Sequence, residues 1–156
     1  MTGKIQEEMI MNGRVEEIIK NILETRTIKD VFFAACGGSL VDLYPGYYFV
    51  NAESETLHPH WLTAKELVVS PSKFLNENAL VLICSHGGST NEAVAAARIA
   101  TERGAAVITM THNPDSACAK EFNSIIYSWE PETDEKDRPQ GIVMYILNEV
   151  MRAQEP

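Results

Sequence analysis

The chain has 156 residues, 45% of them apolar, 22% charged and 8% aromatic, which suits one domain with a real core and excludes a disordered chain. Its 22 acidic against 13 basic side chains give a net charge of −9, which repels nucleic-acid phosphates, so no nucleic-acid partner is expected. No apolar run reaches the roughly 20 residues of a membrane-spanning helix, and the N-terminus MTGKIQEEMIMNGR has acidic residues where a signal peptide needs an apolar stretch; no membrane partner and a cytoplasmic location are the expectations.

Residues 5 to 25 have a helical pattern, with Val15, Ile18, Ile19, Ile22 and Leu23 on one face. Met9, Ile10 and Met11 form a second apolar patch, and Gly13 weakens the join. Residues 1–27 thus read as a helical arm, suited to packing on another subunit, and residues 28–153 as a single domain. After Asp30, the run Val31 to Cys36 reads as a buried parallel strand, because it is short, apolar throughout and rich in β-branched and aromatic residues. It stops at Gly37-Gly38-Ser39. A helix follows from Leu40 to Val50, with a kink or a short first turn expected at Pro45 and Gly46. Glu55 to Leu57 is read as a second strand, and Thr63 to Leu67 as a short helix capped by Thr63.

Ala79 to Cys84 (ALVLIC) is another buried strand, ending in Ser85-His86-Gly87-Gly88-Ser89-Thr90. An alanine-rich helix runs from Thr90 to Arg103 and is closed by Gly104. Ala105 to Thr111 is a strand. Asn113-Pro114-Asp115-Ser116 opens a short helix, with Pro114 at its first position. Ser124 to Trp129 reads as the last strand, and Glu130 to Arg138 as an acidic loop. In the final helix, Gly141 to Arg152, the six consecutive apolar residues Ile142 to Leu147 point all round, so it calls for a further partner surface.

This alternation predicts an α/β protein, a three-layer α/β/α sandwich on a five-stranded parallel sheet of flavodoxin-like order 2-1-3-4-5. Ligands of such sheets bind beyond the carboxyl ends of the strands, at the switch point between strands 1 and 3. The two glycine-rich loops, Cys36 to Ser39 and Ser85 to Thr90, both fall there. Glycines let a backbone approach a ligand, and N–H groups at a helix N-terminus favour an anion such as phosphate. Ser39, Ser85, Ser89 and Thr90 add neutral hydroxyls, and neither loop contains lysine or arginine. The plainer reading is capping alone: Ser89 to Glu92 fits the S/T-x-x-E capping box. Motifs of the P-loop, the dinucleotide fold and the nucleophile elbow are absent.

His58 and His60 flank Pro59, but no nearby residue completes a metal set, and no metal is expected. His86 lies inside the second loop, and His112 ends the fourth strand on the same side of the sheet. Cys36, Cys84 and Cys118 are an odd number without a close pair, read as reduced thiols and not as a disulfide framework. Trp61 and Trp129 read as core or interface residues.

At these two loops the sequence resembles the sugar isomerase (SIS) domain family, whose pattern after the third strand is Ser-x-Ser-Gly-x-Thr-x-Glu; here Ser85 to Glu92 reads Ser-His-Gly-Gly-Ser-Thr-Asn-Glu. VFFAACGGS with the following Tyr44-Pro45, and CSHGGST, look most like the N-terminal SIS domain of one branch. That branch contains deglycases of Amadori products phosphorylated at the sugar 6-position, such as fructoselysine 6-phosphate and fructose-asparagine 6-phosphate. The resemblance spans about residues 28 to 150. It implies a sugar-phosphate ligand and no cofactor. On this chain the implied substrate and phosphate site is Gly37, Gly38 and Ser39 with Ser85, His86, Gly87, Gly88, Ser89 and Thr90. In that set Ser39 touches the sugar and Ser85 and Thr90 hold the phosphate beside the N–H groups of Gly87 to Ser89. Glu92, the family glutamate, and His112 are further candidates.

Two departures stand out. Gly87 replaces the second serine of the pattern, removing a hydroxyl for which Ser89 partly substitutes. The branch enzymes also carry two SIS domains, and their general-base glutamate and a histidine belong to a Gly-Glu-Phe-x-His-Gly-like motif of the second, which this chain lacks. The resemblance therefore implies a phosphosugar-anchoring N-terminal half of a deglycase or isomerase, with no catalytic residue assigned. A stand-alone sensor without catalysis, or a single-domain isomerase with its site across subunits, are the other readings. A homodimer or larger assembly is expected.

Overall fold

A computed structural model describes residues 3–156, with side chains from residue 13 onward; the Met9-Ile10-Met11 patch lies outside the described side chains. The chain folds as α1 (Gly3–Thr25), β1 (Asp30–Ala35), α2 (Gly38–Glu53), β2 (His58–Thr63), α3 (Ala64–Val69), β3 (Ala79–Cys84), α4 (Asn91–Glu102), β4 (Ala106–Thr111), α5 (Ala117–Glu121), β5 (Asn123–Ile126) and α6 (Pro139–Gln154), with a 3₁₀ turn at Glu135–Asp137. The five strands are parallel in the order β2-β1-β3-β4-β5, as the alternation predicts. Every residue of β1, β3 and β4 is buried, which is why these strands read as unbroken apolar runs.

Two cores cover the two faces of the sheet. Val31, Phe33, Leu80, Leu82, Cys84, Ile108 and Met110 point to one face and pack with buried residues of α1, α2 and α6. Phe32, Ala34, Val81, Ile83 and Val107 point to the other and pack with α3 and α4, whose alanines Ala93, Ala96, Ala97 and Ala100 let the helix lie close to the strands. The alternation is the two-residue period of a pleated strand.

Four elements depart from the sequence reading. The second strand is β2, not residues 55 to 57. Residues 54 to 56 instead turn around the Glu155 carboxylate, which accepts from Ser54 Oγ (2.9 Å) and from the N–H groups of Glu55 (2.6 Å) and Thr56 (2.8 Å). As an edge strand, β2 is half-exposed and tolerates Pro59, so it carries no apolar signal. Helix α2 runs without interruption through Pro45 and Gly46. Gly46 is there for contact: a Cβ on it would stand 2.7 Å from Val143 Cγ2 and 2.9 Å from Leu147 Cδ1 of α6. Helix α5 starts at Ala117, not at Pro114. Residues 113 to 116 form a turn in which the Asp115 N–H donates to Asn113 Oδ1 (3.0 Å), and Ser116 caps the helix. Finally, α6 has its partners within the chain. Ile142, Val143, Ile146 and Leu147 are buried among α1, α2 and the sheet, and Met144 and Tyr145 are half-buried. The stripe Val15, Ile18, Ile19 and Ile22 of α1 lies in this same core.

Candidate functional site

The switch point between β1 and β3 brings the two glycine-rich loops together. Beyond β3, Ser85 is buried and extends the ladder, its N–H donating to the Met110 carbonyl of β4 (2.9 Å). The chain then turns. The His86 carbonyl accepts from the His112 N–H (3.1 Å) and from Thr111 Oγ1 (3.0 Å), and the Gly88 carbonyl accepts from the Cys118 N–H (2.9 Å). These bonds clamp the loop to the β4–α5 connection. Gly88 has φ +73°, and a Cβ there would overlap Ser116, so only glycine fits both the backbone and the space. Gly87 has open space around its Cα and no positive φ.

Hydroxyls line the turn. Ser85 Oγ accepts from the Gly88 N–H (3.1 Å) and pairs with Thr90 Oγ1 (3.2 Å). Ser89 does not cap α4, contrary to the capping-box reading. Its Oγ accepts a long bond from the Ala117 N–H (3.5 Å), and the cap position belongs to Thr90, whose side chain makes no capping bond. Gly37, with φ +56°, likewise opens α2 without a side-chain cap. The other two strand-to-helix connections differ. Thr63 caps α3 by accepting from the Glu66 N–H (3.1 Å), and Ser116 caps α5 by accepting from the Ala119 N–H (3.3 Å). Of the four helices that follow β1 to β4, the two at the switch point start with their N–H groups uncapped by side chains.

The two histidines meet. The His86 and His112 rings stack at 5.0 Å and 8°. His112 Nδ1 lies 3.0 Å from the Tyr127 carbonyl, an acceptor only, so Nδ1 carries the proton and Nε2 of the neutral ring is the open acceptor. His86 Nδ1 pairs with the Tyr127 hydroxyl at 3.0 Å. Glu92 sits in the first turn of α4, close enough to Cys36 to add to the upward push that burial gives that thiol.

Four further residues at this end of the sheet were not singled out as site residues in the sequence: Tyr127, Trp129, Asp42 and Gln140. Trp129 stands edge-on to His86 at 5.9 Å. The Asp42 carboxyl is raised above the usual carboxylate range by burial, with the His86 imidazole working against that rise, and its Oδ1 accepts from Gln140 Nε2 (2.9 Å). The Ser39 and Tyr127 hydroxyls both reach the Cys84 sulfur, whose thiol burial pushes up to about 12. Asp42 had a visible signal, as the one charged residue of α2 before Glu53. Together these groups form a cup of backbone N–H groups, neutral hydroxyls, two imidazoles and one carboxylate, suited to a small polar anion with hydroxyls.

The remaining histidines lie elsewhere. A groove of about 860 Å³ opens where the strands begin, at the opposite end of the sheet. His60 sits in it, stacked on Phe32 at 4.2 Å with Nε2 2.8 Å from Asp30 Oδ1. Among the described residues no group of three His, Cys, Asp or Glu side chains could hold a metal ion, and no helix is long and apolar enough to cross a membrane.

Known proteins place this arrangement. The SIS domain family model matches residues 26–152. Fructosamine deglycase FrlB of Bacillus subtilis (strain 168) is 35% identical over 138 residues, 88% of this chain and 42% of that protein. A solved structure described as a phosphosugar isomerase of Salmonella typhimurium LT2 superposes with a TM-score of 0.86 at 33% identity, over 94% of this chain and 45% of that one. A Bacillus subtilis structure of the same description gives 0.83 at 32% identity, over 94% and 46%. The chain thus spans less than half the length of these relatives. The switch-point loops, the sheet order and these likenesses agree, and the chain belongs to the SIS domain family.

Proposed function

We propose that the switch-point cup anchors a sugar phosphate, with the phosphate on the β3–α4 loop and the sugar against the β1–α2 loop. The observation that supports this most is the pair of helix N-termini without side-chain caps, α2 and α4, meeting where Ser85 Oγ and Thr90 Oγ1 stand 3.2 Å apart. An anion there completes N–H groups that the protein leaves open and gains from both helix dipoles. Ser85, Ser89 and Thr90 donate hydroxyls, Gly87 to Ser89 donate N–H groups, and Gly37, Gly38 and Ser39 face the sugar. His86 borders the phosphate, and His112 and Glu92 flank the cup.

The finer reading is that the ligand is an Amadori product 6-phosphate and that this chain is the anchoring half of a deglycase. The likeness to a fructosamine deglycase supports it. In that role the chain holds the phosphate, so that binding energy remote from the reacting carbons positions them for acid–base chemistry supplied by a second SIS domain.

The test is thermal unfolding of the chain with fructose 6-phosphate, with fructose as control. Ligand at 100 times its dissociation constant adds about 2.7 kcal/mol, a rise of roughly 5–10 °C for a chain of this size. Thr90→Ala loses most of that rise while its unliganded unfolding stays close to that of the parent; Ser85→Ala loses it too, from an unliganded stability lowered by about 1–3 kcal/mol because the buried Gly88 N–H loses its acceptor. An equal shift in the variants would move the phosphate elsewhere.

A further inference from the structure

Asp42 is an oddity in the cup. It sits one helical turn beyond Ser39, on the same side of α2, and is half-buried among neutral groups. Its Oδ1 is held by the Gln140 amide of α6 at 2.9 Å, and Oδ2 has no partner among the described side chains. Among the described residues no lysine or arginine pairs with it; His86 of the second loop acts on it, and it in turn faces Cys84 at the end of β3 and Tyr127 beyond β5. That oxygen is not sealed in the core, since among the described residues only Ser124 Oγ is buried without a partner, so a group bound in the cup can donate to it. A phosphate cannot, since it has the same sign of charge. A sugar hydroxyl can.

Resting on the phosphate reading above, we infer that Asp42, braced by Gln140, selects the hydroxyl-bearing end of the ligand. Its Oδ2 accepts from sugar hydroxyls, and its charge turns the phosphate away toward the uncapped start of α4. Two ends of one cup thereby read two ends of one ligand. Trp129, 37% exposed and 5.9 Å from His86, offers an apolar edge to the sugar ring between them. Gln140 is a positioning residue, because it touches Asp42 and fixes which oxygen faces the cup.

The experiment is calorimetric titration of the parent chain and of Asp42→Asn with fructose 6-phosphate and, separately, with inorganic phosphate. Asn is isosteric and keeps a bond to Gln140. Asp42→Asn is expected to weaken fructose 6-phosphate by about 10- to 100-fold, the range for a hydrogen bond to a charged group, and to leave inorganic phosphate unchanged or tighter. Gln140→Ala, which keeps the carboxylate and frees its rotamer, is expected to fall between the two on fructose 6-phosphate alone. Equal losses for both ligands, or none for either, would overturn the role of Asp42 while leaving the phosphate site standing. A parent chain that binds neither ligand would overturn the phosphate reading itself and the inference with it.

Discussion

Gly88 carries two constraints on one atom, and replacing it with alanine tests both. At φ +73° an L-residue pays roughly 1–2 kcal/mol for the left-handed conformation. The new Cβ would also overlap the Ser116 side chain and come within 2.6 Å of Thr111 Oγ1. Neither neighbour can move freely. Ser116 Oγ donates to the Asn113 carbonyl (2.7 Å) and caps α5, and Thr111 Oγ1 holds the His86 carbonyl (3.0 Å). Overpacking of this kind costs about 1–3 kcal/mol. Against it stands about 0.4–1 kcal/mol from the stiffer unfolded chain. The net is a loss of about 1–4.6 kcal/mol, a fall of roughly 2–18 °C in unfolding midpoint. Gly87→Ala is the matched control: no heavy atom lies within 4 Å of its Cβ and its φ is not positive, so it should hold or gain about 0.4–1 kcal/mol. Urea unfolding at pH 7.5, followed by circular dichroism, measures both. Equal stability of the two variants would refute the reasoning, since adjacent glycines in one loop would then differ in nothing that matters.

Three further outcomes are expected. Gly87→Ser restores the serine of the family pattern in open space and should tighten sugar-phosphate binding by about 2- to 10-fold, one hydrogen bond's worth; weaker binding in a calorimetric titration would show that the loop uses the bare backbone. Gly46→Ala gains about 1 kcal/mol of helix propensity but pushes on Val143, Leu147 and Phe33, for a net loss of about 1 kcal/mol; a raised urea midpoint would mean that α6 retreats without cost. Burial raises Cys84 from 9.0 to about 12 and Cys118 from 9.0 to about 11, so above pH 9 the unfolded chain sheds protons that the folded chain keeps, and stability falls as pH rises. Each thiol contributes up to about 1.4 kcal/mol per pH unit in that window, and Cys84→Ala should flatten the decline; unchanged urea midpoints between pH 8 and pH 10.5 would contradict the burial of these thiols.

Much of the molecule was legible because its central strands are buried on both faces. β1, β3 and β4 must be apolar at every position, and such runs separated by helical patterns leave few topologies open. The glycine-rich loops followed from the topology, since a parallel sheet places its open backbone at the carboxyl ends of its strands. Edge strand β2 was misplaced for the opposite reason: half-exposed residues obey no apolar pattern, and its start is set by Glu155, about a hundred residues away in sequence.

The parallel α/β order and the hydroxyls and glycines of the two loops were readable from the chain alone, because each depends on residue type within a few positions. Only the tertiary structure decided which hydroxyl caps a helix and which stays in the cup. Ser89 has the spacing of a cap, but the clamp of the Gly88 carbonyl on Cys118 and the bond of Ser89 Oγ to Ala117 draw it toward α5. It likewise decided that α1, α2 and α6 share one layer, which gives the all-round apolar α6 its partners and calls for glycine at position 46. The union of Asp42, Gln140, His86, His112 and Tyr127 is of the same kind. They come from five separate stretches of chain, and no local pattern can bring together side chains that meet only once the sheet has closed the distance.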